Sequence, residues 1–427
     1  MTYNNFVKKT LPAFTSSRLT PLLGISLLFS LTAHKAPDDL VTISYVLALF
    51  SIVSTIAPML IATSGNTTSS LIDDEAAKRN FFTGGFTTTL CLASASTILS
   101  IMVLFIALTL PGMRNVHTPA FVSLSLIYLP AIPLLSINFF LQLFHEADKR
   151  HSNYSKIKTG TTFLGAIFLL TAFAYSPRNA FKYYAMSYFL LTEALLFIYL
   201  IKLSTGYRFI STRHAQKIAS DLLKKGGPLA SGVAGQKIYF YLMVERLTTT
   251  NPDLTIQLSI FMSIINIIST PSQAFSQIHS LHTSQQPTKS KYNYHHGILW
   301  TTGISSALAG LLYITGNHFF ITYSNNTLHL TSSLYLTTVF FLTGNAFLAL
   351  TMAHLRARND TLTPQIIVNI LMLTTATPVI YTLSWDKHEF FTLIIIQGTA
   401  LFLSALILHN RISALHNRDK IACLKKT

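Results

Sequence analysis

The sequence predicts an all-α membrane protein of about twelve transmembrane helices in two six-helix bundles, and three observations carry that reading. Half of the 427 residues are hydrophobic and only 11% are charged, roughly half the charge density of a soluble chain. The apolar residues gather into long runs, each able to cross a ~30 Å hydrocarbon layer at about 1.5 Å per residue. The basic residues also take sides. The two termini and every second connection, with the adjoining helix ends, hold 24 of the 31 Lys and Arg, whereas the alternate loops hold only Lys35, Arg114, Arg178, Lys182 and Lys387. Positive charge stays on the cytoplasmic face of an inner (plasma) membrane, so both termini are expected there.

In chain order the expected spans are 15–34, 42–62, 83–109, 120–143, 159–177, 182–202, 227–247, 255–277, 296–316, 332–353, 364–384 and 389–409. The first follows Lys8, Lys9 and Arg18 as a signal peptide would, but no small-residue cleavage pattern comes after Leu31. It reads as an uncleaved helix, with residues 4–14 as an amphipathic lead-in along the interface. Residues 203–226 carry Arg208, Arg213, Lys217, Lys224 and Lys225 and read as a cytoplasmic linker helix. The expected domains are therefore an N-terminal bundle over 1–202, the linker over 203–226, a C-terminal bundle over 227–410 and a cytoplasmic tail over 411–427.

The halves align at an offset of about 212 residues, Thr83-Gly84-Gly85 matching His295-His296-Gly297 and Leu143 to Asp148 matching Leu355 to Asp360. Six spans per half keep the orientation, so the repeats are parallel and related by a pseudo-two-fold axis along the membrane normal, as in many transporters.

Composition also excludes. The net charge of +16 is accounted for by loops that set topology and meet anionic lipid heads, so no nucleic-acid partner is expected. Cys91 and Cys423 are too few and too far apart for a disulfide framework or a cysteine metal cluster. No phosphate-cradling GxxxxGKS or GxGxxG pattern occurs, which leaves nucleotide hydrolysis unsupported. His145, Glu146, Asp148 and His151 are compact but lack the i, i+4 histidine spacing of a zinc helix, and read as a solvated loop. His295-His296 reads as a helix start. The expectation is a non-enzyme with no cofactor and no metal.

Within the bilayer, polar residues are few. An ionised side chain there costs ~2.5–3.5 kcal/mol on insertion scales, which makes each one a functional candidate. Of fifteen acids only Glu193 falls near the middle of a span, and Lys237 is the other deep charge. They are expected either to neutralise each other as a pair or to act separately. In the second case Glu193 is a proton or cation site and Lys237 a contact for an anionic or zwitterionic substrate. The amides Asn138, Gln236, Asn266, Asn345 and Asn369 serve either as interhelical hydrogen-bonding groups or as cavity lining, with Tyr239, Phe240 and Phe139 as candidate walls. Pro58, Pro130, Pro133, Pro271 and Pro378 mark positions where a span is expected to bend.

Three stretches, taken in order, carry a family resemblance. His354-Leu355-Arg356-Ala357-Arg358-Asn359-Asp360-Thr361 followed by Pro364 is similar to an "LRGxxDTxxP" motif at the end of a tenth helix. Leu222 to Pro228, "LLKKGGP", is similar to an "lxKxGlP" motif at the start of a seventh, and Ser69 to Lys78 stands where a "VAQxxGAgd" loop is found. Over about residues 11–410 the chain resembles the multidrug and toxic compound extrusion (MATE) transporters of the wider flippase-like superfamily. The resemblance implies a monomeric secondary exporter of small organic molecules, set among membrane lipids and driven by protons or sodium. The departures fall on the coupling residues. Gln236 stands where cation-coupled relatives carry a glutamate in helix seven, and Asn345 where they carry an aspartate in helix ten. The aspartate of their first helix is missing unless Asp38 or Asp39 dips inward. An amide keeps the shape of the acid but neither binds nor releases a proton, so Glu193 becomes the coupling candidate. Alternatives are a flippase for a lipid-linked precursor, which needs a basic cavity for pyrophosphate, and an uncoupled transporter or scaffold.

Overall fold

The computed structural model describes residues 3–71, 74–109, 119–147, 151–209, 215–358, 360–385 and 389–424, all helix and connection with no strand among them. Hydrocarbon dictates this, because a helix satisfies its backbone hydrogen bonds internally. The first half runs α1 (Tyr3–Lys35), α2 (Asp39–Leu60), α3 (Ser64–Ser70), α4 (Glu75–Thr109), α5 (Pro119–Tyr128), α6 (Ala131–Ala147), α7 (His151–Tyr175) and α8 (Phe181–Leu203). The second runs α9 (Ala215–Thr250), α10 (Pro252–Gln285), α11 (Ser290–Ser324), α12 (Ser332–Ala357), α13 (Leu362–Ile370), α14 (Thr377–Thr382) and α15 (Phe390–Leu424). Among the described residues, eleven helical stretches are long and apolar enough to cross a membrane, the α5–α6 and α13–α14 pairs each counting as one. The twelfth expected span lies in α9, whose Lys237, Glu245 and Arg246 lower its hydropathy. Large apolar side chains such as Ile101, Met102 and Phe105 on α4 and Tyr313 and Ile314 on α11 are more than half exposed, as a lipid-facing surface requires.

Four expectations change in detail. Residues 4–14 are not a separate lead-in but the start of α1, which continues through Pro12 and Pro21. Protein contacts hold them: Trp300 Nε1 donates to Asn4 Oδ1 at 2.9 Å and Arg18 donates to the Gln277 side chain. The linker is likewise no independent helix from residue 215 onward, since α9 runs unbroken from Ala215 to Thr250; residues 210–214 lie outside the described residues. The fourth span is interrupted at Leu129-Pro130 between α5 and α6, where Pro130 has no N–H to continue the ladder. The eleventh contains a π turn, Leu371–Ala376, directly before Pro378. A proline ring clashes with the carbonyl four residues back, and a wider turn accommodates it. The Thr377 hydroxyl helps by donating to the Met372 carbonyl at 3.0 Å.

By contacts the chain divides into one unit of residues 1–26 and 257–427 and another of 27–256. Relative to the sequence halves, 1–26 is grouped with the later helices and α9 with the earlier ones. In the 27–256 unit α9 lies along α2 and α4. Gly226 permits the approach to α2: a Cβ there would stand 2.0 Å from the Leu60 carbonyl oxygen. Phe82 centres an aromatic cluster, 4.6 Å from the Tyr207 ring and 4.8 Å from that of Phe144. Lys35 donates to the carbonyls of Ala172 and Phe173 and lies over the Phe173 and Phe181 rings, placing a cation at the negative end of α7. Lys182 pairs with Asp39 at 2.9 Å.

In the other unit α12 packs along α15, and Arg411 of α15 meets Asp360 at 3.4 Å. Ser26 of α1, Ser263 of α10 and Tyr323 of α11 share hydrogen bonds, Ser263 Oγ donating to Ser26 Oγ at 2.9 Å. Trp385 is buried and donates to the Ile380 carbonyl at 2.8 Å.

Candidate functional site

Helix α8 is 23 residues long, enough to span roughly 34 Å, and Glu193 sits one residue past its midpoint. Its partner comes from α6. The Asn138 side chain, 3% exposed, uses one nitrogen twice: Nδ2 donates to Glu193 Oε2 at 2.7 Å and to the Glu193 backbone carbonyl at 2.8 Å. Both amide hydrogens thus go to one residue, which fixes the register of α6 against α8. Tyr128, at the end of α5, is buried and meets Phe189 edge-on at 5.6 Å. The carboxyl group is close enough to Tyr128, Tyr188 and Lys158 to interact with each through space. This is a carboxyl group held by a neutral donor and walled by aromatic rings.

Glu193 and Lys237 fall in the same unit but do not pair. Helix α8 packs mainly on α5, α6 and α7 and also touches α2, while α9 packs on α2 and α4, and no ion pair joins the two side chains among the described residues. Gln236, Lys237 and Phe240 are half-buried on α9. Tyr239 is buried and its hydroxyl has no partner among the described residues. Phe139 is half-buried beside Asn138. In the other unit, Asn345 on α12 and Asn369 on α13 are half-buried, with Asn369 Oδ1 unpartnered, and Asn266 on α10 is exposed. So the structure brings Asn138 to Glu193 and leaves the remaining candidates dispersed over two units. His145 is fully buried and bonds Ser204 at 2.7 Å, while the side chains of Glu146, Asp148 and His151 lie outside the described residues. Among the described residues, no group of three or more His, Cys, Asp or Glu is arranged to hold a metal ion.

A second polar site went unmarked in the sequence. Tyr3 of α1 bonds His279 of α10 at 2.7 Å, and His279 bonds His354 of α12 at 3.0 Å. Seven of the fifteen histidines (His279, His282, His295, His296, His354, His409 and His416) stand near the basic ends of the later spans. That clustering was the available signal.

Solved structures of similar fold cover nearly the whole chain. An inward-facing multidrug resistance MATE family transporter of the MOP superfamily is 16% identical with a TM-score of 0.64, over 96% of this chain and 96% of its own. The eukaryotic MATE transporter AtDTX14 is 12% identical with a TM-score of 0.66, over 95% and 94%. A MOP superfamily transporter from Pyrococcus furiosus, described as having a binding pocket of reverse polarity that suggests a different function, is 13% identical with a TM-score of 0.55, over 94% and 97%. No protein-family profile and no curated protein sequence matches the chain. The chain has the all-helical fold of the MATE transporters and is a multi-pass membrane protein.

Proposed function

We propose that the protein is a secondary active exporter of small organic molecules that works by alternating access, with Glu193 as its coupling-ion site. The observation that carries this is the placement of Glu193: a carboxyl group at mid-span, held by Asn138 and walled by tyrosines, in a fold shared with transporters. With Gln236 and Asn345 unable to titrate, proton or sodium coupling falls to that carboxyl group. Lys237 favours an anionic or zwitterionic substrate, with the neighbouring Gln236 and Tyr239 as further polar contacts. The reverse polarity described for one structural neighbour's pocket supports pocket charge as a property that varies on this fold. The protein acts as a monomer in the inner membrane with both termini cytoplasmic, following its loop charges. A lipid-linked precursor flippase is disfavoured, because one half-buried lysine is a poor match for a pyrophosphate.

The test is substrate-driven proton flux into proteoliposomes containing a pH-sensitive dye, with a panel of cations, zwitterions and anions. Wild type should move protons with a zwitterion or anion and Glu193→Gln should not. Equal transport by both without proton movement would make Glu193 structural.

A further inference from the structure

At one end of the 1–26 and 257–427 unit, five side chains from five helices make a continuous hydrogen-bonded chain. Tyr3 Oη bonds His279 Nδ1 at 2.7 Å, and His279 Nε2 bonds His354 Nδ1 at 3.0 Å. His354 Nε2 bonds Ser290 Oγ at 3.1 Å, and Ser290 Oγ bonds His416 Nε2 at 3.4 Å. Both nitrogens of His279 and of His354 are engaged, and both residues are 0% exposed.

A neutral imidazole has one N–H and one bare nitrogen, so it donates at one end and accepts at the other. The chain therefore has two self-consistent directions, from Tyr3 toward His416 or the reverse, and every bond is made in either. An added proton changes this. One imidazole then donates at both ends, bonds on either side must point away from it, and a positive charge lies among buried groups. Among the described residues, the titratable and charged groups that act on the two buried imidazoles are themselves neutral or cationic. His282, His416 and Arg358 act on the pair electrostatically and Lys289 acts on His282. The Tyr3 ring meets His282 and His296 edge-on, while Tyr294 bonds His409 alongside. None of these is a carboxylate, and a buried charge without a counter-charge is strongly disfavoured against one in water.

A second observation points the same way. Among the described residues, Asn293 of α11 is 0% exposed with both amide atoms unpartnered, and Nδ1 of both His282 and His296 is buried and unpartnered. Opening this end to water would satisfy those atoms along with the charge.

The mobile part is identified by what the chain holds. Tyr3 is the first described residue of α1, and the relay, the Trp300–Asn4 bond and the Arg18–Gln277 bond tie that helix to α10 and α11. We propose that Tyr3, His279, His354, Ser290 and His416 form a proton-operated latch, which docks the N-terminal turns of α1 while neutral and releases them on taking up one proton. The proton comes from water at the half-buried His416 end and is held as an imidazolium. The imidazolium donates at both ends, and its charge is solvated only when this end opens to water and the Tyr3 helix detaches. The latch is a proton site separate from Glu193 and does not depend on transport by it.

Hydrogen–deuterium exchange of the full chain in lipid nanodiscs, between about pH 8 and pH 5 and corrected for intrinsic rates, tests this. Peptides covering residues 3–20 should exchange faster as pH falls, by roughly tenfold per pH unit below the onset, the slope set by a single proton. Peptides around Glu193 should not follow. His354→Gln and Tyr3→Phe should flatten the slope, whereas a merely structural change would raise exchange equally at every pH. A pH-independent profile in wild type overturns the latch even if neither variant folds, and so does a slope that survives His354→Gln.

Discussion

The two polar sites are sealed by similar means and respond to a proton in opposite ways. Glu193 is a carboxyl group with a neutral amide donor, whereas His279 and His354 are imidazoles bonded end to end with no acid acting on them among the described residues. A carboxylate loses its charge when protonated, so proton uptake favours a closed, water-free surrounding. An imidazole gains charge, so uptake favours opening. One ion can thus tighten helices in one unit and loosen them in the other, and the chemistry of the acceptor sets the direction.

Exchanging the acceptor tests that contrast most strongly. Glu193→Gln should abolish substrate-driven proton flux in proteoliposomes and leave the pH response of residues 3–20 intact; losing both would show that the sites are not independent. Next in size is Asn138→Leu, which strips the carboxyl group of its donor and leaves buried acceptors unmet. It should cost about 1–3 kcal/mol in thermal unfolding. A smaller effect is expected at Gly297, where a Cβ would stand 2.9 Å from Leu350 Cδ1 and 3.0 Å from His279 Cε1 and Nδ1. Gly297→Ala must displace the imidazole and should cost about 1 kcal/mol, with faster exchange of residues 3–20 at neutral pH. The smallest is Arg411→Ala. This pair with Asp360 is partly exposed, Arg411 at 41%, so its loss should register at about 0.5 kcal/mol or less. A large effect there would mean that charge alone, rather than burial, governs the sites.

The spans were legible because crossing a membrane demands long apolar runs and asymmetric loops, both of which are local properties. Even α9 was placed by loop charge and Leu222 to Pro228, although its charged residues keep it below the hydropathy of the other eleven. Less legible was whatever depends on which helices touch. Glu193 was found as a lone acid, but its bond to Asn138, 55 residues away, was not. Lys237 invited a pairing that is not formed, since α8 packs chiefly on α5, α6 and α7 and α9 chiefly on α2 and α4. The histidine chain joins residues 276 and 75 positions apart, and nothing local distinguishes His279 from a histidine facing solvent. The continuity of α1 was hidden by Pro12 and Pro21, which a helix tolerates when neighbouring groups hold it.

The π turn at Leu371–Ala376 also acts on the reading frame of helix faces. From Val368 to Ala376 is eight steps, which in a regular helix amounts to a rotation of about 800°, leaving the two residues roughly 80° apart. A wide turn that absorbs one residue reduces this to about seven steps, or roughly 20°. Val368, Ala376 and Ile380 are all buried, as that corrected frame requires. The segment is in effect an insertion already accommodated. Deleting one residue between 371 and 376 would return it to a regular helix with its buried face intact, whereas the same deletion in α8 would turn Glu193 away from Asn138.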